Sequence, residues 1–311
     1  MKLYFAPMEG VATYTYRNAH NEMFGGCDDY FAPFIVPTEN ERLSIKSLRD
    51  VLPNNNDVKV IPQVLCSSAG AFCEFVKKIK ELNYDTVNLN LGCPSGTVVK
   101  KRRGAGALLD TDFLDSLLDG IFNNSDIKIS VKCRTGFYSH DEFDEILKIF
   151  NKYPMEKLIV HPRVREEYYK GEPNMKVFDK AYTEAKMPLC YNGNIYTVND
   201  FESITDKYKN LDSVMIGRGA IKNPAIFREI KGGKKLSTDE LISFSNVLEE
   251  RYLILLKNED YTLHRLKEMW MYMMLNYPDE KKILKAIKKS NRLIDLNSAI
   301  NCLGQIDENA V

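Results

Sequence analysis

The chain has 311 residues, enough for two domains or for one large α/β barrel with an appendage. Hydrophobic residues make up 44% of it and charged residues 28%, which excludes a disordered or fibrous protein. Basic and acidic residues number 43 each, so a uniformly basic nucleic-acid coat is excluded, whereas local basic patches are not.

Short apolar runs alternate with amphipathic segments along the chain, a pattern typical of a parallel sheet. Eight runs recur at intervals of roughly thirty residues and predict an α/β fold, a closed (β/α)8 TIM barrel. The predicted strands are 3–7, 29–33, 59–65, 86–91, 128–133, 157–161, 188–191 and 213–216. The predicted helices among them are 14–24, 69–82, 111–123, 139–153, 197–208 and 224–231.

The longest interval between predicted strands lies between the fourth and the fifth, where the sequence reads GCPSGTVVKKRRGAGALLD. A loop that follows a barrel strand lies on the face that carries active sites, so we expect this loop to be functional. After residue 230 only helical patterning follows, with helices predicted at 239–257, 263–275 and 279–296. We therefore predict a barrel domain at 1–235 and a small helical domain at 236–311.

Polar side chains, glycines and prolines follow almost every predicted strand. In a barrel the ends of the strands meet at one mouth, so such residues lie close together there. Glycines follow the seventh and eighth strands, in Asn192-Gly193-Asn194 and Gly217-Arg218-Gly219. Barrels often bind phosphate there through backbone N–H groups. Taken alone, each of these two motifs is explained equally well by a tight turn. Their occurrence together after the seventh and eighth strands favours a phosphate site.

Lys132 and Cys93 are the two residues at this mouth whose side chains are most able to take part in a reaction. Lys132 belongs to the predicted inward-facing series of its strand, where a cation requires an anionic partner. A lysine that reaches solvent and a Schiff-base lysine are the alternatives. Cys93 precedes Pro94 at the rim, where its thiol can donate a proton or act as a nucleophile.

The other cysteines and the N-terminus bear on the cellular compartment. No pair of cysteines has Cys-x-x-Cys spacing, and no signal peptide or long apolar span is visible. We therefore expect a cytoplasmic protein whose cysteine thiols are reduced. Most of the remaining cysteines are expected to act as small buried hydrophobes: Cys66, Cys73, Cys133, Cys190 and Cys302.

The chain contains two basic runs although its formal net charge is zero. Lys100-Lys101-Arg102-Arg103 lies in the long loop, and a second run at 281–292 lies in the last predicted helix. Four residues of the second run are predicted on one helical face: Lys281, Lys285, Lys288 and Arg292. Each run is either a solvated surface or a track for a phosphodiester backbone.

Six segments together resemble the tRNA-dihydrouridine synthase family, over roughly residues 1–230. They are APMEGVATYTYR, NLNLGCPSGTVVKKRRGAGALL, SVKCRTGF, IVHPRVREEYYKGEPNMKVF, PLCYNGNI and MIGRGAIKNPAIFREI. The most specific element is the Asn-x-Gly-Cys-Pro segment followed by a basic, glycine-rich loop. One departure is Asn194, where many members of the family have Asp.

The resemblance implies reduction of the C5=C6 bond of uridines in tRNA, with a hydride from reduced FMN, a C5 proton from Cys93, and NADPH as the electron donor. It implies these FMN-binding residues: Pro7, Met8, Gln63, Lys132, His161, Asn192, Gly193, Asn194, Gly217 and Arg218. The substrate contacts expected from it and from the basic loop are Asn90, Lys101, Arg102, Arg103, Arg134 and Arg163. The C-terminal helices would help to hold the tRNA.

Two alternative functions stay open at this point. One is a flavin barrel that acts on a free pyrimidine or an enone, and the four cations of the long loop argue against it. The other is a non-catalytic RNA-binding homologue, and Cys93 argues against that. We expect no metal, no membrane and no obligate protein partner.

Overall fold

A computed structural model describes residues 1–37 and 43–308, with side chains described up to residue 305. The chain divides into two compact units. The first comprises Met1–Pro7, Asp28–Asn194 and Ile204–Ile216, and the second Met8–Cys27, Ile195–Ser203 and Gly217–Val311. The predicted domain boundary after residue 235 stays a prediction, and residues 309–311 of the predicted second domain lie outside the described chain.

Nine parallel strands form the sheet of the first unit. They are β1 (Lys2–Phe5), β2 (Asp29–Phe31), β3 (Val60–Ile61), β4 (Gln63–Val64), β5 (Thr86–Leu91), β6 (Lys128–Arg134), β7 (Lys157–His161), β8 (Leu189–Tyr191) and β9 (Ser213–Ile216). Their order is β3-β2-β1-β9-β8-β7-β6-β5-β4. The two ends of the sheet, β3 and β4, are separated in the chain only by Pro62, which has no N–H to donate to a ladder. The predicted third strand is thus one strand interrupted at a proline, and the predicted eight-stranded barrel is confirmed.

Fourteen α-helices lie in the described residues. They are α1 (Tyr14–Met23), α2 (Ile45–Leu48), α3 (Ala69–Glu81), α4 (Gly96–Val99), α5 (Thr111–Asn123), α6 (Phe143–Phe150), α7 (Met175–Glu184), α8 (Val198–Lys207), α9 (Arg218–Lys222), α10 (Ile226–Ile230), α11 (Thr238–Leu256), α12 (Glu259–Met273), α13 (Lys281–Lys289) and α14 (Leu293–Glu308). Six short 3-10 segments are Arg49–Val51, Pro53–Asn55, Gly104–Leu109, His140–Glu142, Arg165–Glu167 and Met274–Asn276. None of the helices described is long and apolar enough to cross a membrane.

The short helices α2 and α4 were not predicted, and the helix prediction was wrong in three further places. First, α7 was missed, although its buried residues Phe178 and Ala181 have helical spacing. Second, the segment predicted as one helix at 224–231 contains only α10, and α9 precedes it. Third, the predicted last helix, 279–296, is divided into α13 and α14.

The division of the last predicted helix occurs at Ser290, which has extended backbone angles. Its hydroxyl donates to the Ile287 carbonyl (2.7 Å), and Lys267 Nζ donates to the carbonyls of Lys288 (2.9 Å) and Ser290 (2.7 Å). These bonds satisfy carbonyl groups that a helix end leaves without partners. Arg292 therefore lies beyond α13, and its predicted place on the same helical face as the lysines was wrong.

The second unit has an aromatic core that encloses His20 of α1. Tyr16 and Phe24 each pack edge-on against Phe244 of α11, with ring centroids 5.4 and 5.1 Å apart. The His20 ring lies edge-on to Phe227 at 5.8 Å. Burial lowers the pKa of His20 to about 3, and a hydrogen bond to the backbone of Pro224 offsets this only in part.

This buried histidine makes the stability of the chain dependent on pH. Below its unfolded pKa of about 6.5, His20 takes up a proton in the unfolded chain but not in the folded one, so the folded state loses stability as the pH falls. We expect His20→Phe to reduce the slope of unfolding free energy against pH by about 1.4 kcal/mol per pH unit between about pH 6 and pH 4.5. Urea unfolding at several pH values measures the slope.

The exposed His264 provides the matched control. His264→Gln should leave the pH slope as it is in the wild-type chain. Equal slopes for His20→Phe and the wild-type chain would show that His20 is not held neutral in the folded state.

Candidate active site

A chain of buried polar side chains crosses the barrel interior beneath the carboxyl ends of its strands. Gln63 lies opposite Asn88 in the sheet, and Asn88 lies opposite Ser130. Gln63 Nε2 donates to Asn88 Oδ1 (2.7 Å), and Asn88 Nδ2 donates to Ser130 Oγ (2.9 Å). Because buried amides need partners, these bonds fix the orientation of the Gln63 side chain.

Asn90 links this polar chain to the loop that carries Cys93. Its Nδ2 donates to Gln63 Oε1 (2.8 Å), and its Oδ1 accepts from the backbone N–H groups of Gly92 (3.0 Å) and Cys93 (2.9 Å). The side chain thus holds the first turn of the loop and sets the position of Cys93, which is half-buried. The predicted contact of Asn90 with a uracil ring stays a prediction.

Gly104 packs directly against Cys93 and was not singled out from the sequence. Its φ is +56°, and a Cβ added there would lie 2.8 Å from the Cys93 carbonyl oxygen and 2.9 Å from its Cβ. Ala105 N–H donates to the same carbonyl oxygen (3.0 Å). Only glycine meets both the backbone conformation and the close approach, so the glycine-rich run supports the Cys93 turn.

Lys132 lies on β6 opposite Asn90, as its place in the inward-facing series predicted. Burial, and then the charge of nearby Arg134, lower its pKa to about 8. Among the described residues, Lys132 Nζ makes no hydrogen bond or ion pair. A desolvated ammonium with no protein partner is well suited to hydrogen-bond a ligand.

Arg134, at the end of β6, is almost fully buried (1% exposed). Nε donates to the Gly92 carbonyl (2.9 Å), Nη1 to that of Val164 (2.9 Å) and Nη2 to that of Tyr168 (2.7 Å). The guanidinium therefore ties the loop after β5 to the loop after β7. Its predicted role as a substrate contact stays a prediction, whereas these bonds give it a role in positioning both loops.

His161 ends β7, and Arg163 follows it with no exposed surface. Arg163 Nη1 is 2.9 Å from His161 Nε2, and Nη2 donates to Asn194 Oδ1 (3.1 Å). Asn194 Nδ2 in turn donates to Glu172 Oε2 (2.9 Å). The sequence placed these residues after neighbouring strands, but it gave no sign that they are joined.

The turn after β8 contains Asn192 and Gly193. Asn192 Nδ2 donates to the Met215 carbonyl of β9 (2.8 Å). A Cβ on Gly193 would lie 2.0 Å from the Tyr191 hydroxyl oxygen, so packing against Tyr191 is enough to require glycine here. Phosphate binding at this turn stays a prediction.

The remaining residues predicted to bind FMN fall in different units. Pro7 follows β1 in the first unit, whereas Met8, Gly217 and Arg218 belong to the second. The Met8 carbonyl accepts from the N–H groups of Val11 (3.1 Å) and Ala12 (2.8 Å). Gly217 precedes α9, and Arg218, its first residue, lies 5.7 Å from the Tyr196 ring centre. A site shared with the first-unit residues stays a prediction.

The basic run of the long loop is heterogeneous. Lys100 and Lys101 are exposed, whereas Arg102 lies 3.4 Å from Asp110 and 5.2 Å from the Phe113 ring centre. Arg103 is half-buried, and its Nε has no hydrogen-bond partner in the described chain. The predicted substrate contacts of Lys101, Arg102 and Arg103 stay predictions. On α13 the five lysines are exposed: Lys281, Lys282, Lys285, Lys288 and Lys289.

Tyr169 is a further residue that the sequence reasoning missed. Its ring centre lies 6.0 Å from that of His161 and 5.3 Å from the Arg134 guanidinium carbon, and the side chain is 49% exposed. The aromatic pair in REEYYKG was the available signal, because an exposed aromatic near a strand end is typical of a binding surface. Within the described residues, no group of three or more His, Cys, Asp or Glu side chains is arranged to hold a metal ion.

Comparison with known sequences identifies related proteins. A family model described as Dihydrouridine synthase (Dus) matches residues 4–299. The tRNA-dihydrouridine synthase B of Proteus vulgaris is 34% identical over 158 residues, which are 50% of this chain and 48% of that protein. The chain thus spans about half the length of this relative. The tRNA-dihydrouridine(16) synthase of Escherichia coli O157:H7 is 25% identical over 323 residues, 97% of this chain and 98% of that protein.

Solved structures share the fold at much lower identity. Histamine dehydrogenase from Rhizobium sp. 4-9 has a TM-score of 0.56 at 10% identity, covering 79% of this chain and 49% of that chain. Morphinone reductase in complex with tetrahydroNAD has a TM-score of 0.54 at 9% identity, covering 76% of this chain and 88% of that chain. At such identity these likenesses show the barrel architecture alone.

Proposed function

The chain belongs to the dihydrouridine synthase family, and on this basis we propose that it reduces uridine to dihydrouridine in tRNA, in the cytoplasm, with FMN as cofactor and NADPH as electron donor. The observation that carries the proposal is the arrangement of Cys93 and Lys132. Asn90 accepts from the backbone N–H of Cys93, just after β5, and Lys132 lies opposite Asn90 on the neighbouring strand β6, with no hydrogen bond to the described residues. A proton donor and a cofactor-binding cation are what this reaction requires.

The polar side chains of the mouth fit a flavin ring. Lys132 can donate to an electron-rich ring atom without first losing a protein partner. Gln63 is held rigid by Asn88 and Asn90, so it can offer its amide in a fixed orientation. When bound, FMN supplies a hydride to C6 of the uracil ring.

Cys93 completes the reduction in this proposal. Its thiol gives a proton to C5 of the uracil, and the resulting thiolate regains a proton from solvent. Together with the hydride at C6, this adds two hydrogens across the C5=C6 bond. The bond from the Cys93 N–H to Asn90 and the close approach of Gly104 hold the Cys93 backbone in place, which favours proton transfer by limiting where the thiol can lie.

A uridine stacked within folded RNA cannot enter a barrel mouth, so the nucleotide must be flipped out. Cations hold the phosphodiester backbone during this step without reading the base sequence. Lys100, Lys101 and Arg103 would act next to Cys93, and the exposed lysines of α13 would provide a second track.

The basic loop gives a direct expectation for RNA binding. Replacing both Lys101 and Arg103 with Ala should weaken tRNA binding and reduce the slope of log affinity against log salt by about 0.7–0.9 for each phosphate group that the protein no longer neutralises. Filter binding at several salt concentrations measures the slope. Lys77→Ala with Lys78→Ala is the matched control, because both lysines are exposed on α3 and paired with glutamates. An unchanged slope in the loop variant would mean that the loop does not contact RNA.

Incubation of the purified full chain with FMN, NADPH and unmodified tRNA tests the proposed activity. We expect bound yellow FMN, and dihydrouridine in the tRNA by nucleoside mass spectrometry. Turnover of free uracil but not of tRNA would instead identify a small-molecule reductase. A colourless chain that takes up no FMN would contradict the proposal.

A further inference from the structure

Arg163, just after β7, is a fully buried cation with hydrogen-bond partners on several neighbouring segments. Its Nε donates to the Lys170 carbonyl (3.2 Å) and its Nη2 to the Gly171 carbonyl (2.5 Å). Nη1 meets His161 Nε2, and Nη2 also donates to Asn194. One guanidinium thus joins the end of β7, the loop that follows it and the turn after β8.

The contact with His161 determines which ring nitrogen carries the hydrogen. Arginine keeps its protons and can only donate, so His161 Nε2 must accept. The neutral ring then carries its hydrogen at Nδ1. An arginine in this place therefore selects one tautomer of His161 and disfavours the charged ring, which would put two donors face to face.

Asn194 connects the Arg163 charge to a carboxylate. Its Oδ1 accepts from Arg163, and its Nδ2 donates to Glu172. An amide can do both, whereas a carboxylate at position 194 would lie against the Glu172 carboxylate and repel it. Asn194 and Glu172 are in this sense a matched pair, which gives a physical reason for the asparagine in this chain.

We propose that Arg163 is a positioning residue that holds His161 in its Nδ1–H form, and that the Asn194–Glu172 pair fixes the Arg163 guanidinium. The effect of this arrangement on FMN binding rests on the proposed function. The tautomer of His161 does not, because it is a property of the chain itself.

NMR of the full chain labelled with 15N-histidine tests the tautomer, with His161→Gln identifying the signal. We expect His161 to carry its hydrogen at Nδ1 in the wild-type chain and to shift towards the Nε2–H form in Arg163→Met. Arg163→Lys should shift it less, because lysine still offers a donor. The other three histidines report in the same spectrum whether the fold is intact. An unchanged His161 tautomer in folded Arg163→Met and Arg163→Lys would overturn the proposal.

A double-mutant cycle tests the matched pair without relying on the more disruptive arginine variants. Asn194→Asp should weaken FMN binding several-fold, up to about tenfold, because it sets two carboxylates together. Adding Glu172→Gln should restore most of the affinity, since the introduced carboxylate would then accept from both neighbours. Purely additive effects would overturn the pairing. Absence of FMN binding by the wild-type chain would instead contradict the proposed function, and the His161 tautomer would still test the role of Arg163.

Discussion

Replacement of Cys93 by alanine is expected to slow uridine reduction by about 10²–10⁴-fold, the usual loss when a general acid is removed. Binding of FMN and tRNA should change much less than the rate, because the bonds from Asn90 and Ala105 that hold this turn are made with the backbone of Cys93, which the substitution keeps. Stopped-flow oxidation of the reduced flavin by tRNA measures the chemical step separately from binding.

The matched control for this experiment is Cys302→Ala, which removes a thiol from α14. The structure shows Cys302 exposed, so its predicted burial was wrong. The substitution should leave the rate unchanged. A Cys93→Ala enzyme that reduces uridine at nearly the wild-type rate would exclude Cys93 as the proton donor. Weak FMN binding in that variant would assign Cys93 to the cofactor site instead.

The second large effect is expected for Lys132→Met, which keeps most of the length of the side chain but removes its charge. A hydrogen bond from a charged donor contributes about 1.5–3 kcal/mol, so FMN binding should weaken by about tenfold to a hundredfold. Because burial lowers the pKa of Lys132 to about 8, its charge is present below that pH and lost above it. FMN affinity of the wild-type chain should therefore fall as the pH rises through about 8, and the variant should not show this fall.

Quenching of FMN fluorescence, titrated across this pH range, measures both effects. Lys128→Met is the matched control, since Lys128 begins the same strand but is exposed, 3.6 Å from Asp85. Equal FMN affinity of Lys132→Met and the wild-type chain would rule out Lys132 as a cofactor ligand. Trapping of a substrate on Lys132 by borohydride would point to Schiff-base chemistry.

Most of the barrel could be predicted from the sequence because its strands are buried apolar runs of regular spacing. The bounds of β5, β7 and β9 match the predicted strands. The break at Pro62 and the end of α13 at Ser290 were missed. Both depend on how backbone groups find partners: Pro62 has no N–H to give, and Ser290 and its neighbours are held by their own hydroxyl and by Lys267.

The places of the predicted site residues in the barrel follow from the sequence, but their hydrogen bonds do not. Strand ends placed Asn90, Arg134 and Arg163 at the mouth, and the family resemblance implied that they contact the substrate. In the fold each makes hydrogen bonds that hold neighbouring loops or side chains. Many of these partners are distant in the chain: Arg134 reaches Val164, and Asn194 reaches Arg163. Such pairs come together only when the barrel closes. The hydrophobic periodicity and the composition of the sequence therefore cannot predict these hydrogen bonds.

Nucleoside mass spectrometry of RNA from a strain that lacks the gene, with and without the gene restored, tests the central claim most directly. We expect dihydrouridine to disappear from specific tRNA positions and to return with the wild-type gene but not with Cys93→Ala. Unchanged dihydrouridine at every tRNA position, or a loss confined to ribosomal RNA, would contradict the assignment of tRNA as the substrate.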